Sequence, residues 1–135
     1  MAAWWQRTKA PAYIRKAPRG TVFTDLAPTE HVRLEKLRVA LATKAGTAWT
    51  RSTGDLAVLA GLMADAQNIP AVEVVLGDVL ESQLGLQWVV AMDEARSVPC
   101  LRDVATGLVL YPQGMLRDGD DVRQVMEAVR NTLRR

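Results

Sequence analysis

The residues able to do chemistry are few and scattered. One histidine, His31, and one cysteine, Cys100, occur among 135 residues, so a Cys/His zinc framework cannot assemble. His31 sits beside Glu30 in what reads as the first turn of a helix, where a solvated ring is expected, and a Ser-His-acid triad has nothing to build on. Neither a Gly-rich phosphate loop, a dinucleotide fingerprint nor a Gly-x-Ser-x-Gly elbow is present. Two acidic groups remain. Asp118, Asp120 and Asp121 lack the alternating ligand ladder and the distal bidentate Glu of a calcium loop, and read as helix-capping residues. Asp93 and Glu94 are adjacent; in extended chain they point to opposite faces, so they read as solvated turn residues and not as an acid–base pair. No catalytic residue, metal ligand or cofactor is expected.

The elements that would position any site are much clearer. Val72, Val75, Leu76, Val79, Leu80 and Leu84 fall at offsets 0, 3, 4, 7, 8 and 12, one continuous apolar stripe on a helix over Pro70–Leu84. Pro70 suits the first turn and Gly85 the left-handed residue that ends a helix. Glu73, Asp78 and Glu81 then fall on the polar side, toward solvent. Leu86–Met92, with Trp88, is strand-like and follows at once. This helix-to-strand unit predicts the centre of the core, with Gly77 placed to admit a close neighbour and Trp88 large enough to anchor several layers.

Around it, Thr29 is the expected cap of a helix over Glu30–Lys44, ended by Gly46. A second helix is expected over Asp55–Gln67, introduced by Ser52-Thr53-Gly54 and closed by a left-handed Asn68. Val98–Val104 and Leu108–Tyr111 follow as strands joined through Gly107, with Pro99 marking an edge and Pro112 a stop. A last helix begins at Asp120 or Asp121 and places Val122, Val125, Met126, Val129 and Leu133 on one face. The fold class is α+β: N-terminal helices, a three-stranded antiparallel meander and a C-terminal helix packed on one sheet face.

Charge divides the chain. Residues 1–20 hold Arg7, Lys9, Arg15, Lys16 and Arg19 and no acid, a net +5, whereas the remainder is −3. Residues 1–28 therefore read as a basic leader, broken by Pro11, Pro18 and Pro28 and carrying Trp4, Trp5 and Tyr13, ahead of a single domain over 29–135. An apolar content of 49% with 24% charged residues is that of an ordinary soluble domain. No secretory signal pattern or membrane-length apolar run is seen, and the lone Cys100 points to no oxidising compartment, so a cytoplasmic protein is expected.

Leu76-Gly77-Asp78, then Leu84-Gly85-Leu86-Gln87-Trp88-Val89-Val90 with Asp93, then Leu110-Tyr111-Pro112 with Met115 and Asp118-Gly119 resemble a small bacterial domain family of uncharacterised function. The resemblance covers residues 70–121. It implies the fold and a bacterial origin, with relatives among toxin-immunity and secretion-associated proteins. The expectation is a non-enzymatic protein-binding domain, an immunity or adaptor protein that occludes a basic toxin or a secreted effector. Glu73, Asp78, Glu81, Asp93 and Glu94 would form its acidic contact rim. The alternative is a nucleic-acid-associated protein that uses the leader's Arg7, Lys9, Arg15, Lys16 and Arg19 between stacking aromatics.

Overall fold

The computed structural model describes residues 11–94, 96–117 and 119–135. Among these residues, four α-helices and a five-stranded antiparallel sheet make a mixed α+β fold. In chain order the elements are β1 (Ile14–Lys16), β2 (Val22–Thr24), α1 (Pro28–Ala45), α2 (Asp55–Leu62), a 3-10 turn (Ala66–Asn68) and α3 (Ile69–Leu84). They continue with β3 (Gln87–Met92), β4 (Ser97–Arg102), β5 (Leu108–Leu110) and α4 (Val122–Leu133). Strand order is β1-β5-β4-β3-β2.

The expected meander is the middle of this sheet, and the leader supplies both edges. Ile14, Arg15 and Lys16 pair with Leu110, Val109 and Leu108, while Val22, Phe23 and Thr24 pair with Met92, Ala91 and Val90. Ile14 and Leu26 are buried. The leader is thus structural from Ile14 onward, since β1 and β2 belong to the same sheet as the strands that follow α3. Each edge strand has only three residues, too few for alternation to register as a pattern. Trp4, Trp5, Arg7 and Lys9 lie outside the described residues, as do Ala95 and Asp118.

Helix α3 is the axis of the core, as its stripe predicts. Every residue from Ala71 to Leu80 is buried, because α1, α2, α4 and the loop after β5 close over the side away from the sheet. Gly77 faces Trp88: a Cβ placed there would lie 2.6 Å from the indole Cζ2, so only glycine lets helix and strand approach this closely. On the helix-facing side of the sheet Ile14, Leu86, Leu101 and Leu110 join α2, α3 and α4 in one cluster. On the other side Val89, Ala91, Cys100 and Val109 pack with Ala17, Phe23 and Tyr111. Burial there pushes the Cys100 thiol up to about 11, which keeps it inert at neutral pH.

Several boundaries move for identifiable reasons. Pro28 takes the first position of α1, so the cap is Ala27 and not Thr29. Helix α2 stops at Leu62; Asn68 is right-handed (φ −79°) and buried. Its amide donates to the Leu62 carbonyl and its Oδ1 accepts from Lys44 Nζ. The cap of α2 is Gly54 without a side-chain bond, while Asp55 accepts from the N–H groups of Thr50 and Arg51. Strand β4 ends at Arg102 because Asp103 turns the chain, accepting from Thr106 and Arg135. Asp121 caps α4 in a capping box with Gln124.

Candidate binding site

Unequal strand lengths open a cleft at one end of the sheet. β4 has six residues and β5 three, so only Leu101 and Arg102 of β4 find partners in β5. Beyond Leu110 the Tyr111 N–H donates to the Tyr13 carbonyl, and Pro112 then turns the chain away. The loop that follows runs opposite the free half of β4, and Pro99, Gln113, Gly114 and Arg117 line the space between them.

That space has two compartments. The outer one, about 520 Å³, is lined by Arg15, Arg96 and Arg117 with Tyr13, Tyr111 and Val98. The Arg15 and Arg96 guanidinium carbons lie 4.8 and 5.5 Å from the centre of the Tyr111 ring. Cation–π contact of this kind orients a guanidinium while leaving its N–H edge available to an anion. The inner compartment, about 280 Å³, lies toward the helices and is lined by Leu34, Leu37, Pro70, Val74 and Trp88, with Arg33 and Glu73.

Glu73 holds the loop that carries Arg117. Its Oε2 accepts from the backbone N–H groups of Gly114 (2.9 Å) and Leu116 (3.3 Å). Met115, between them, is fully buried against the core. Desolvation by burial raises the Glu73 pKa above its ordinary value, opposed by the backbone amides of Gly114, Leu116 and Met115 and by the charge of Arg117.

The acidic residues expected at a contact rim are not brought together. Glu73 is 7% exposed and Asp78 2% exposed; both point into the protein. Asp78 receives two hydrogen bonds from Arg38, at 2.7 and 2.9 Å, and one from Trp88 Nε1 at 3.0 Å. Glu81 accepts from the Trp88 N–H. Asp93 accepts from the Arg96 N–H in the β3–β4 turn, where Glu94 is exposed. The apolar stripe of α3 was legible, but its opposite side is internal because other elements supply arginine and backbone amide partners for the acids. Of the basic residues in the leader, Arg15 reaches the cleft; Lys16 and Arg19 are exposed elsewhere. Arg96 and Arg117 carried no local signal and Tyr111 showed only as part of the strand-ending Tyr-Pro pair, since the three converge from separate segments. His31 is exposed, and among the described residues no group of three His, Cys, Asp or Glu side chains is placed to hold a metal ion.

Comparison with known proteins agrees with this architecture. Residues 63–126 match a family model described as a domain of unknown function (DUF3806), so this uncharacterised domain takes in the whole stretch from the Leu-Gly helix through the Trp strand to the Tyr-Pro turn. No curated protein matches. A crystal structure of a protein from Bacteroides thetaiotaomicron VPI-5482 superposes over 85% of this chain with a TM-score of 0.67 at 13% identity. That likeness is one of fold. This chain spans about half of that protein, 48% of its length. Among the described residues no helix is long and apolar enough to cross a membrane.

Proposed function

We propose that this is a non-enzymatic protein-binding domain, an adaptor or immunity protein of the cytoplasm, that holds an acidic segment of its partner in the arginine cleft. The observation that carries the reading is the convergence of Arg15, Arg96 and Arg117 from β1, the β3–β4 turn and the loop after β5 around Tyr111. Guanidinium groups bind carboxylates through paired, charge-assisted hydrogen bonds, and three of them in one concavity select strongly for negative charge. The polarity of the contact is thus the reverse of an acidic rim on a basic toxin: the acids of α3 are engaged inside the fold, and the accessible cleft is basic.

The reading is tested by fluorescence anisotropy with a labelled oligoglutamate peptide at two salt concentrations. Binding that weakens with salt, and falls by about tenfold in Arg96→Glu at unchanged melting temperature, supports it. Arg96 is exposed, so the substitution leaves the core alone. Equal binding of an oligolysine peptide overturns it. Stronger binding of a single-stranded oligonucleotide, lost on replacing Lys16 and Arg19, favours the nucleic-acid alternative instead.

A further inference from the structure

The segment in the cleft has a definable conformation and side-chain pattern. The Asp93 N–H donates to the Arg96 carbonyl, so residues 93 and 96 form a hydrogen-bonded pair at the β3–β4 turn. Such pairs alternate along an antiparallel ladder. With Met92 opposite Ser97, Ala91 opposite Val98 and Val90 opposite Pro99, it is Val98 that bonds to β3. Ser97 and Pro99 direct their backbone groups away from β3, to the side where β5 would lie. β5 reaches only Leu101 and Arg102, and among the described residues no strand pairs with Ser97–Pro99 on that side. Pro99 fits this placement, because its missing N–H faces an unpaired edge. A strand edge with three backbone groups to offer, the Ser97 N–H and C=O and the Pro99 C=O, therefore borders the cleft.

The two compartments lie on opposite faces of that edge. Arg15, Arg96 and Tyr111 stand on the face away from the helices, and Leu34, Leu37, Val74 and Trp88 on the helix face. Successive side chains of any strand point to opposite faces. We infer that the occupant is an extended segment of a partner protein that adds a short strand to β4. Acidic side chains at alternate positions meet the arginines, and bulky apolar ones between them enter the compartment beside Trp88. Main-chain pairing supplies affinity and the two side-chain compartments supply selectivity, the usual division in strand addition. The inference rests on the reading of the outer cleft as an acid-binding site, and extends it to backbone geometry and to the apolar inner compartment.

Peptides of one composition separate the two statements. The probes are labelled peptides alternating Asp with Leu, the same residues grouped as an Asp run followed by a Leu run, and the alternating peptide methylated on the backbone nitrogens that would face β4. All are measured by anisotropy with the 135-residue protein. The alternating peptide is expected to bind about tenfold more tightly than the grouped one, and methylation to remove that advantage. Equal, salt-sensitive binding of all three overturns strand addition while the acid-binding cleft stands. Failure of all three to bind at low salt overturns both.

Discussion

Arg38 meets Asp78 through two nitrogens of its guanidinium, and Trp88 donates to the same carboxylate, so one acid ties α1, α3 and β3 together. The Asp78 side chain is 3% exposed and that of Arg38 15%. Removing one charge from such a pair leaves the other desolvated, a cost of about 3–5 kcal/mol when the survivor is fully buried. Arg38 retains some access to water and has Glu35 at 3.8 Å as a second acid, which places Asp78→Asn at the lower end, about 3 kcal/mol. Urea denaturation followed by tryptophan fluorescence measures the change. A loss below about 1 kcal/mol, the worth of an exposed ion pair, would show that this carboxylate does not join the three elements.

Between α3 and the loop after β5, Glu73 serves as a bracket: its carboxylate takes the place that a further backbone acceptor would fill for Gly114 and Leu116. Glu73→Gln retains an acceptor oxygen and should hold the loop, whereas Glu73→Ala leaves two amides without a partner, costing about 1–3 kcal/mol if they stay dry. The same residue sets a pH dependence. Its folded pKa is raised above the ordinary 4.5, so the folded protein holds the proton more tightly than the unfolded chain. The associated stability is fully present below the unfolded pKa and is lost as pH rises through the folded value. Asp103 runs the other way. Burial works against its ionisation, but Thr106 and Arg135 outweigh it and hold the pKa below 3.8; its contribution is present above that value and lost as pH falls through the folded one. Melting curves of the native protein and Glu73→Gln, compared from pH 4.5 toward neutrality, should therefore diverge, with the native protein losing ground to the variant. Parallel curves would show that Glu73 is solvated.

At the level of the whole molecule, the segment that precedes the helices completes the sheet. Removing residues 1–20 deletes β1 and with it Ile14, which packs among Leu101, Leu110 and the helices. Truncating a buried isoleucine side chain alone costs about 2–5 kcal/mol, and the deletion also leaves the outer edge of β5 unpaired. The shortened chain should melt at lower temperature and with reduced cooperativity by circular dichroism. An unchanged melt would make β1 an ornament. The deletion also removes Arg15, so the truncated protein should bind the oligoglutamate peptide more weakly even where it remains folded.

What the sequence by itself determined is the content that lies in short-range pattern. The stripe of α3, its end at Gly85, the meander around Gly107, a cap for α4 at Asp120 or Asp121 and room for a close neighbour at Gly77 all follow from spacing and backbone chemistry. Tertiary structure alone decided three things. Ile14–Lys16 and Val22–Thr24 became strands because β5 and β3 offered open edges, an inducement that three residues cannot display on their own. Glu73 and Asp78 went inside because Gly114, Leu116 and Arg38 arrived to satisfy them; periodicity identifies the apolar side of a helix and is silent on what covers the other. The cleft exists because β5 is shorter than β4, and its arginines come from positions 15, 96 and 117, remote along the chain and adjacent only once the sheet has formed.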